Sequence, residues 1–193
     1  MDPLVDAPRR PLRVVLRDEL KILLQTHSHR KSDVPIRLSS GAETTVYFDG
    51  KQITLFPDRA VLFARVLLES VKLAGIEAVG GMSIGADPIV SAVSITAYFD
   101  RGLNWPGFLV RKEPKKHGLQ KMIEGVELRK GMRVLIVDDV ITQGTATLTA
   151  IRAVEETGAV VAQVACLVDR EEGGSKLLSA KYPFFAAFKK SEL

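Results

Sequence analysis

The sequence predicts an α/β fold in which a parallel-sheet core is flanked by helices. From residue 78 onward, short apolar segments alternate with longer segments of helical periodicity, the order typical of parallel strands joined by helices. One apolar segment, Val134–Val137, shows no alternation with polar residues, which indicates a strand buried on both faces. The 193 residues, 46% of them hydrophobic, are predicted to form one domain with a substantial core.

The chain begins with a segment that we expect to form a loose arm, residues 1–11, because it holds three prolines and two arginines. A helix is predicted to follow from Leu12 to about Gln25, where apolar residues recur at helical spacing. Residues 26–33 are polar and are predicted to form a loop.

Residues 36–55 are predicted to form strands that are interrupted at 39–41 and at Asp49-Gly50. The dipeptide Asp49-Gly50 is a sequence signal for a hairpin turn. The N-terminal helix and these strands stand outside the alternating order of the sheet. We therefore expect residues 12–56 to form a small hood over the edge of the sheet where a ligand would bind.

The remaining predicted elements build the sheet and its helical layers. In chain order they are a helix over 58–73, a strand over 78–81, a helix over 88–99, a strand over 108–111, a strand over 134–137, a helix over 145–157 and a strand over 160–168. No internal repeat or low-complexity segment interrupts this order.

Composition sets limits on the class of protein. The formal net charge of +4 and the pI of about 9.2 suit an anionic ligand and also permit nucleic acid. The single cysteine, Cys166, lies in an apolar segment and is predicted to be a small buried residue. His27 and His29 have no cysteine or acidic neighbour that would favour a metal site. No apolar segment approaches 18 residues and no signal-peptide pattern is present, so we expect a cytoplasmic protein with no membrane association.

The most informative motif follows the predicted strand Val134–Val137. Two adjacent carboxylates, Asp138 and Asp139, precede a short loop of threonine and glycine, Thr142–Ala146. Ligands of open α/β sheets bind just beyond the carboxyl ends of such strands, and amides at the start of the next helix can bind a phosphate. The carboxylates could accept hydrogen bonds from ribose hydroxyls or lie near a hard cation such as Mg²⁺.

Other protein classes also place paired acids after an apolar strand, among them response regulators and P-loop NTPases. The NTPase interpretation requires a G-x-x-x-x-G-K-[ST] segment, and the sequence contains none. The ordered motif instead resembles the 5-phosphoribosyl-1-diphosphate (PRPP) motif of type I phosphoribosyltransferases. That resemblance implies the fold of this family and assigns PRPP binding to Asp138, Asp139, Val140, Ile141, Thr142, Gln143, Gly144, Thr145 and Ala146.

A second motif, Arg111–Gly118, follows the predicted strand over 108–111 and contains arginine, lysine and histidine. A run of charges is often only a solvated surface. A departing pyrophosphate nevertheless needs cations as its negative charge develops, and this run is placed where they would be useful. His117 could in addition donate a hydrogen bond or a proton.

Together the two motifs resemble the orotate phosphoribosyltransferase family. Residues 38–41 and 46–49 are similar to its N-terminal substrate segment, and Val168–Glu171 is similar to its orotate-binding strand end. Two positions depart from the pattern, since many members carry lysine where this chain has Ser39 and Gly85.

The resemblance implies a role for each matching residue. Diphosphate binding falls to Arg111, Lys112, Lys115 and His117, and catalysis to Lys115, His117, Asp138 and Asp139. Arg170 would pair with the orotate carboxylate, and Thr142 would also contact orotate. The cofactor implied is Mg²⁺ held mainly by PRPP and water, and the assembly implied is a homodimer whose loop closes over the partner's active site.

The implied reaction transfers the phosphoribosyl group of PRPP to orotate and gives orotidine 5′-monophosphate and pyrophosphate, a step of UMP biosynthesis. One alternative is a phosphoribosyltransferase for another base, although a buried Arg170 would then lack an anionic partner. A second is a PRPP-binding regulator that contacts nucleic acid. The chain has no room for an added DNA-binding domain, and it lacks the aromatic and basic strand pattern of RNA-binding modules.

Overall fold

The protein is described by a computed structural model that covers residues 11–37, 43–113 and 122–193. Its helices in chain order are α1 (Leu12–His27), α2 (Lys51–Thr54), α3 (Pro57–Leu68), α4 (Asp87–Arg101), α5 (Thr145–Glu156) and α6 (Gly174–Ser179), with a final 3₁₀ helix over Lys190–Glu192. Its strands are β1 (His29–Arg37), β2 (Glu43–Phe48), β3 (Ala78–Met82), β4 (Gly107–Val110), β5 (Ile123–Gly125), β6 (Arg133–Ile141), β7 (Val160–Asp169) and β8 (Phe184–Lys189). None of the described helices has the length and hydrophobicity required to cross a membrane.

The main sheet has six strands in the order β5-β4-β3-β6-β7-β8, and every neighbouring pair is parallel except β4 with β5. The central strand β6 contains the predicted apolar segment, and Val134, Leu135, Ile136 and Val137 are all fully buried. Val134 and Ile136 pack in the core on the α5 side of the sheet, whereas Leu135 and Val137 pack on the α3 and α4 side. The prediction of a parallel sheet covered by helices is confirmed.

Two strands of the sheet were not predicted. The edge strand β5 has only three residues and pairs antiparallel with β4, with Ile123 opposite Val110. At the other edge, β8 pairs parallel with β7 and buries Ala187 and Phe188. Each of these strands lies at an edge of the sheet and pairs with one neighbour. Its formation therefore depends more on that neighbour than on its own sequence.

The hood consists of α1 and an antiparallel pair of strands, β1 and β2. Helix α1 buries Leu20 and Leu24 in the main core, which attaches the hood to the sheet domain. The pairing sets His29 opposite Phe48. The predicted loop over 26–33 is therefore wrong from His29 onward, because cross-strand backbone hydrogen bonds stabilise β1 despite its polar sequence.

The predicted hairpin turn at Asp49-Gly50 is also wrong, because this dipeptide directly precedes helix α2 and Gly50 is its N-cap residue. The Asp49 carboxylate accepts a hydrogen bond from the Lys51 amide at 3.2 Å, and the Asp49 carbonyl accepts one from the Gln52 amide at 3.1 Å. Aspartate favours helix starts for this reason as readily as it favours turns. The predicted break at 39–41 lies outside the described residues.

Helix α3 ends at Leu68, earlier than the predicted Leu73. The Ser70 hydroxyl donates to the carbonyl of Val66 at 2.7 Å, and the Lys72 amide donates to the Gln163 side chain at 3.0 Å. A side-chain partner on β7 thus replaces the helical hydrogen bond that the periodicity predicted.

We expect Gly81→Ala to lower the free energy of unfolding by about 3 kcal/mol, at the upper end of the usual cost of overpacking. A Cβ atom at Gly81 would overlap the carbonyl oxygen of Val137 on β6 and lie 2.6 Å from the Cβ of Ala86. The control is Gly102→Ala, where φ is 66° and no neighbouring atom lies within 4 Å, so only backbone strain of about 1 kcal/mol applies. Urea unfolding measures both, and equal losses would contradict close packing at Gly81.

Candidate active site

The candidate site lies at the carboxyl end of β6, where the chain passes from the buried strand to helix α5. Strand β6 runs to Ile141, beyond the predicted end at Val137, because Asp138 pairs with Cys166 and Ile141 with Asp169 on β7. The two carboxylates therefore lie within the paired end of the strand, which β7 holds on one side. This position gives the acid pair a rigid base.

Asp138 is 7% exposed, and both of its carboxylate oxygens accept hydrogen bonds. The Thr147 hydroxyl donates to Oδ2 at 2.8 Å, and the Asp139 amide donates to Oδ1 at 3.0 Å. Burial and the neighbouring charge of Asp139 raise the pKa of Asp138 to about 7. The pair can therefore hold a proton near neutral pH.

Asp139 is the more open carboxylate of the pair. Its Oδ1 accepts a hydrogen bond from the Val140 amide at 2.8 Å, and its Oδ2 lies 3.8 Å from the Lys51 ammonium nitrogen. Two glycines pack against it, since a Cβ at Gly50 would lie 3.0 Å from the Asp139 Cβ and a Cβ at Gly85 would lie 3.0 Å from Oδ1. The close approach of the backbone explains why a long side chain at position 85 would not fit without a shift of the loop.

A cavity of about 500 Å³ lies beside the acid pair and is lined by Asp138, Lys112, Met82 and the loop after β6. Gly144 has φ of 76° and precedes the first residue of α5, so the unpaired amides at the start of this helix lie at the cavity. The described structure thus brings Asp138 and Lys112 together with all the predicted phosphate-loop residues, namely Val140, Ile141, Thr142, Gln143, Gly144, Thr145 and Ala146.

The predicted base-binding residue Arg170 follows β7 and lies next to the end of β6. Its amide donates to the Ile141 carbonyl at 2.9 Å, and its side chain is 3% exposed. The guanidinium Nε donates to the Glu172 carboxylate at 2.9 Å, whereas the buried Nη2 has no hydrogen-bond partner among the described residues. Within the described part of the chain, Arg170 therefore retains an unpaired donor.

The predicted diphosphate-binding residues are only partly described. Arg111 directly follows β4, its amide donates to the Met122 carbonyl at 2.8 Å, and its guanidinium lies 3.6 Å from the Glu124 carboxylate. Arg111, Asp139 and Arg170 do not line the 500 Å³ cavity. Lys115 and His117 lie outside the described residues, as does Ser39.

Two residues of the site had no signal in the sequence. Lys51 comes from the hood and reaches Asp139, and Glu172 folds back onto Arg170. Neither lies in a recognisable motif, because each meets its partner only through the tertiary fold or an irregular turn.

The peptide bond between Ser83 and Ile84, next to Gly85, is cis.

We expect stability to fall as pH rises from about 4 to about 7 through the titration of Asp138. The folded-state pKa of about 7 exceeds the ordinary value of 3.8, so the folded protein holds a proton that the unfolded chain has released in this range. One such group contributes a slope of at most about 1.4 kcal/mol per pH unit. Urea unfolding of wild type and Asp138→Asn across pH 4–8 measures this, and the stability of wild type relative to the variant should fall over this range, because the other carboxyl groups are present in both proteins. A constant difference between the two proteins would contradict the raised pKa.

Comparison with known proteins places this geometry in a family. The phosphoribosyl transferase domain matches residues 86–186. An orotate phosphoribosyltransferase of Aquifex aeolicus is 40% identical over 179 residues, which cover 92% of this chain and 97% of the relative. One from Leptospira biflexa is 42% identical over 181 residues, covering 91% of this chain and 96% of the relative.

Solved structures agree. The orotate phosphoribosyltransferase of Mycobacterium tuberculosis in complex with Fe(III) dicitrate matches with a TM-score of 0.79 and 34% identity, over 92% of this chain and 98% of that one. The same enzyme in complex with PRPP matches with a TM-score of 0.74 and 31% identity, over the same shares. The parallel sheet, the acid pair with its phosphate loop and these relatives together lead to one conclusion: the chain belongs to the orotate phosphoribosyltransferase family.

Proposed function

We propose that the protein transfers the 5-phosphoribosyl group of PRPP to orotate, giving orotidine 5′-monophosphate and pyrophosphate. The proposed reaction takes place in the cytoplasm and is a step of UMP synthesis. The relatives support the reaction class through their names. The observation that carries the choice of orotate is Arg170, whose buried Nη2 has no partner in the described structure. A substrate carboxylate would pair with this guanidinium.

The energetic cost of an unpaired buried donor argues for an anionic base. A buried guanidinium nitrogen without a hydrogen bond is costly, and a carboxylate offers the planar acceptor that a guanidinium binds best. Purine bases and uracil carry no carboxylate. A phosphoribosyltransferase for another base is therefore the weaker candidate.

PRPP binding is proposed for the site beside β6. The ribose hydroxyls would donate to Asp138 and Asp139, and the 5-phosphate would accept from the loop Thr142–Ala146 and the amides at the start of α5. Arg111 and Lys112 begin the segment that we propose to carry the diphosphate-binding cations, with Lys115 and His117 further along it. These residues would stabilise the negative charge that develops on pyrophosphate as it departs.

We also propose Mg²⁺ as the cofactor. The donor set fits a hard cation, because Asp139 presents a partly open carboxylate whereas both Asp138 oxygens already accept hydrogen bonds. No group of three acidic, histidine or cysteine residues in the described ranges could hold a metal ion by itself. Such an ion would take most of its ligands from PRPP and water, and it would neutralise charge on the diphosphate.

The proposed assembly is a homodimer in which residues 111–121 of one subunit close over the site of its partner. Helix α4 supports an association surface, since its Ile95, Tyr98 and Phe99 are 57%, 58% and 78% exposed. Adjacent apolar side chains exposed to this extent favour a protein contact. The same helix precedes β4, from which the segment 111–121 departs.

The first expected result concerns substrate choice. With PRPP and Mg²⁺ present, we expect turnover of orotate and no turnover of uracil, adenine, guanine or hypoxanthine. A site built to pair a charged group discriminates against analogues that lack it by factors on the order of 10⁴. Loss of orotate absorbance and release of pyrophosphate measure the reaction, and a comparable rate with any other base would contradict the proposal.

The second concerns the shared loop. A Lys115→Ala variant and an Asp138→Asn/Asp139→Asn variant should each be nearly inactive as homodimers. After subunit exchange, each mixed dimer would contain one site with an intact loop and an intact acid pair. An equal mixture should then recover about a quarter of wild-type activity, because half of the dimers are mixed and each has one complete site.

A matched mixture provides the control for this experiment. Lys115→Ala mixed with His117→Ala should recover nothing, since every site then receives a damaged loop. Recovery in neither mixture, with exchange verified by mass spectrometry of tagged subunits, would mean that each loop serves its own subunit.

A further inference from the structure

Among residues 11–37, 43–113 and 122–193, a single carboxylate, that of Glu172, binds the buried guanidinium of Arg170. Arg170 Nε donates to Glu172 Oε1 at 2.9 Å, and the side chains are 3% and 30% exposed. Burial of a charge requires a partner of opposite sign, and Glu172 is the partner that the structure supplies. The pair is formed between residues two positions apart, at the bend that follows β7.

The turn that brings Glu172 back to Arg170 is fixed by its own hydrogen bonds. Glu171 has φ of 59°, in the left-handed region, and its amide donates to the Asp169 carboxylate at 2.8 Å. The Glu171 carboxylate accepts from the Ser191 amide at 2.9 Å. The two adjacent glutamates are thus used differently: Glu171 is bound to the C-terminal 3₁₀ helix, and Glu172 is bound to Arg170.

The Glu172 contact leaves part of the guanidinium unused. Glu172 accepts from Nε, and the buried Nη2 has no partner in the part of the chain that the structure describes. A guanidinium is planar, so a hydrogen bond at Nε restricts the directions in which the terminal nitrogens can point. The terminal nitrogens could then donate to both oxygens of a second carboxylate on the side of the group opposite Cδ.

We propose that Glu172 is the positioning residue for base recognition, holding Arg170 by Nε so that its terminal nitrogens face the carboxylate of the substrate. This role rests on the proposed pairing of Arg170 with that carboxylate. Glu172 does not contact the reacting atoms. Its removal leaves the buried guanidinium without its hydrogen bond at Nε, so the position of the group is less well defined and the substrate must order it on binding.

The test compares steady-state kinetics of Glu172→Ala, Glu172→Gln and the control Glu171→Ala. Glu172→Ala should raise the KM for orotate about tenfold, the equivalent of one lost positioning bond, with kcat and the KM for PRPP within about twofold of wild type. Glu172→Gln keeps an oxygen acceptor for Nε and should restore most of the orotate affinity. Glu171→Ala removes a carboxylate from the same turn without touching Arg170 and should leave the KM for orotate unchanged.

A double-mutant cycle with Arg170→Ala separates this proposal from the function on which it rests. In the Arg170→Ala background, Glu172→Ala should have no further effect on the KM for orotate, because its partner is absent. If Arg170→Ala alone leaves that KM unchanged, the assigned role of Arg170 fails. If Arg170→Ala raises the KM and Glu172→Ala does not, only the role of Glu172 fails.

Two other results would overturn the proposal. A lower KM for orotate in Glu172→Ala would show that Glu172 competes with the substrate for the guanidinium instead of positioning it. Equal effects of Glu172→Ala and Glu171→Ala would show that the turn as a whole, and not the ion pair, is required. If Glu172→Ala does not fold, Glu172→Asp decides the question, since it withdraws the carboxylate by one methylene: a raised KM for orotate alone supports the proposal, and an unchanged KM refutes it.

Discussion

The structure depends on the placement of two adjacent carboxylates at the end of a strand that is buried on both faces. A charged pair in such a position is costly unless each oxygen finds a donor or a cation. The Thr147 hydroxyl, the backbone amides and Lys51 meet this need. The glycines at 50 and 85 allow the neighbouring loops to come close enough to enclose the pair. Helix α5, the hood and the β3 loop are therefore all arranged around the end of β6.

The sequence predicts an element correctly where the hydrophobic pattern of the segment matches its burial in the structure. The uninterrupted apolar segment Val134–Val137 has a single interpretation, and it is the central strand. Asp49-Gly50 has two physical interpretations, a hairpin turn or a helix start, and the hydrogen bonds of Asp49 decide for the second. Strand β5 has three residues and owes its existence to β4, so its own sequence cannot reveal it. In the candidate site, Lys51 and Glu172 were missed for a similar reason, because their partners are set by tertiary contacts.

The short strand β5 also fixes the two ends of residues 111–121, the segment that contains the predicted diphosphate-binding cations. The Arg111 amide donates to the Met122 carbonyl, so the two ends of the intervening segment are fixed side by side at the edge of the sheet. Closing a loop costs entropy because its two ends must be brought together. Here the pairing of β4 with β5 already holds the two ends next to each other. The ion pair between Arg111 and Glu124 is partly exposed and adds little stability by itself. Strand pairing is thus the main anchor of the segment.

The contact between residues 170–174 and the loop Thr142–Ala146 limits how this scaffold could be re-engineered. The Gly174 amide donates to the Thr142 carbonyl at 2.9 Å, and a Cβ at position 174 would lie 2.5 Å from that oxygen and 2.6 Å from the Gly144 amide nitrogen. A grafted loop of different length over 170–173 would move Gly174 and with it the backbone that lines the cavity of about 500 Å³. Selection for a new substrate should therefore proceed by exchange of side chains at 170–172, with loop length kept constant and Gly174 retained.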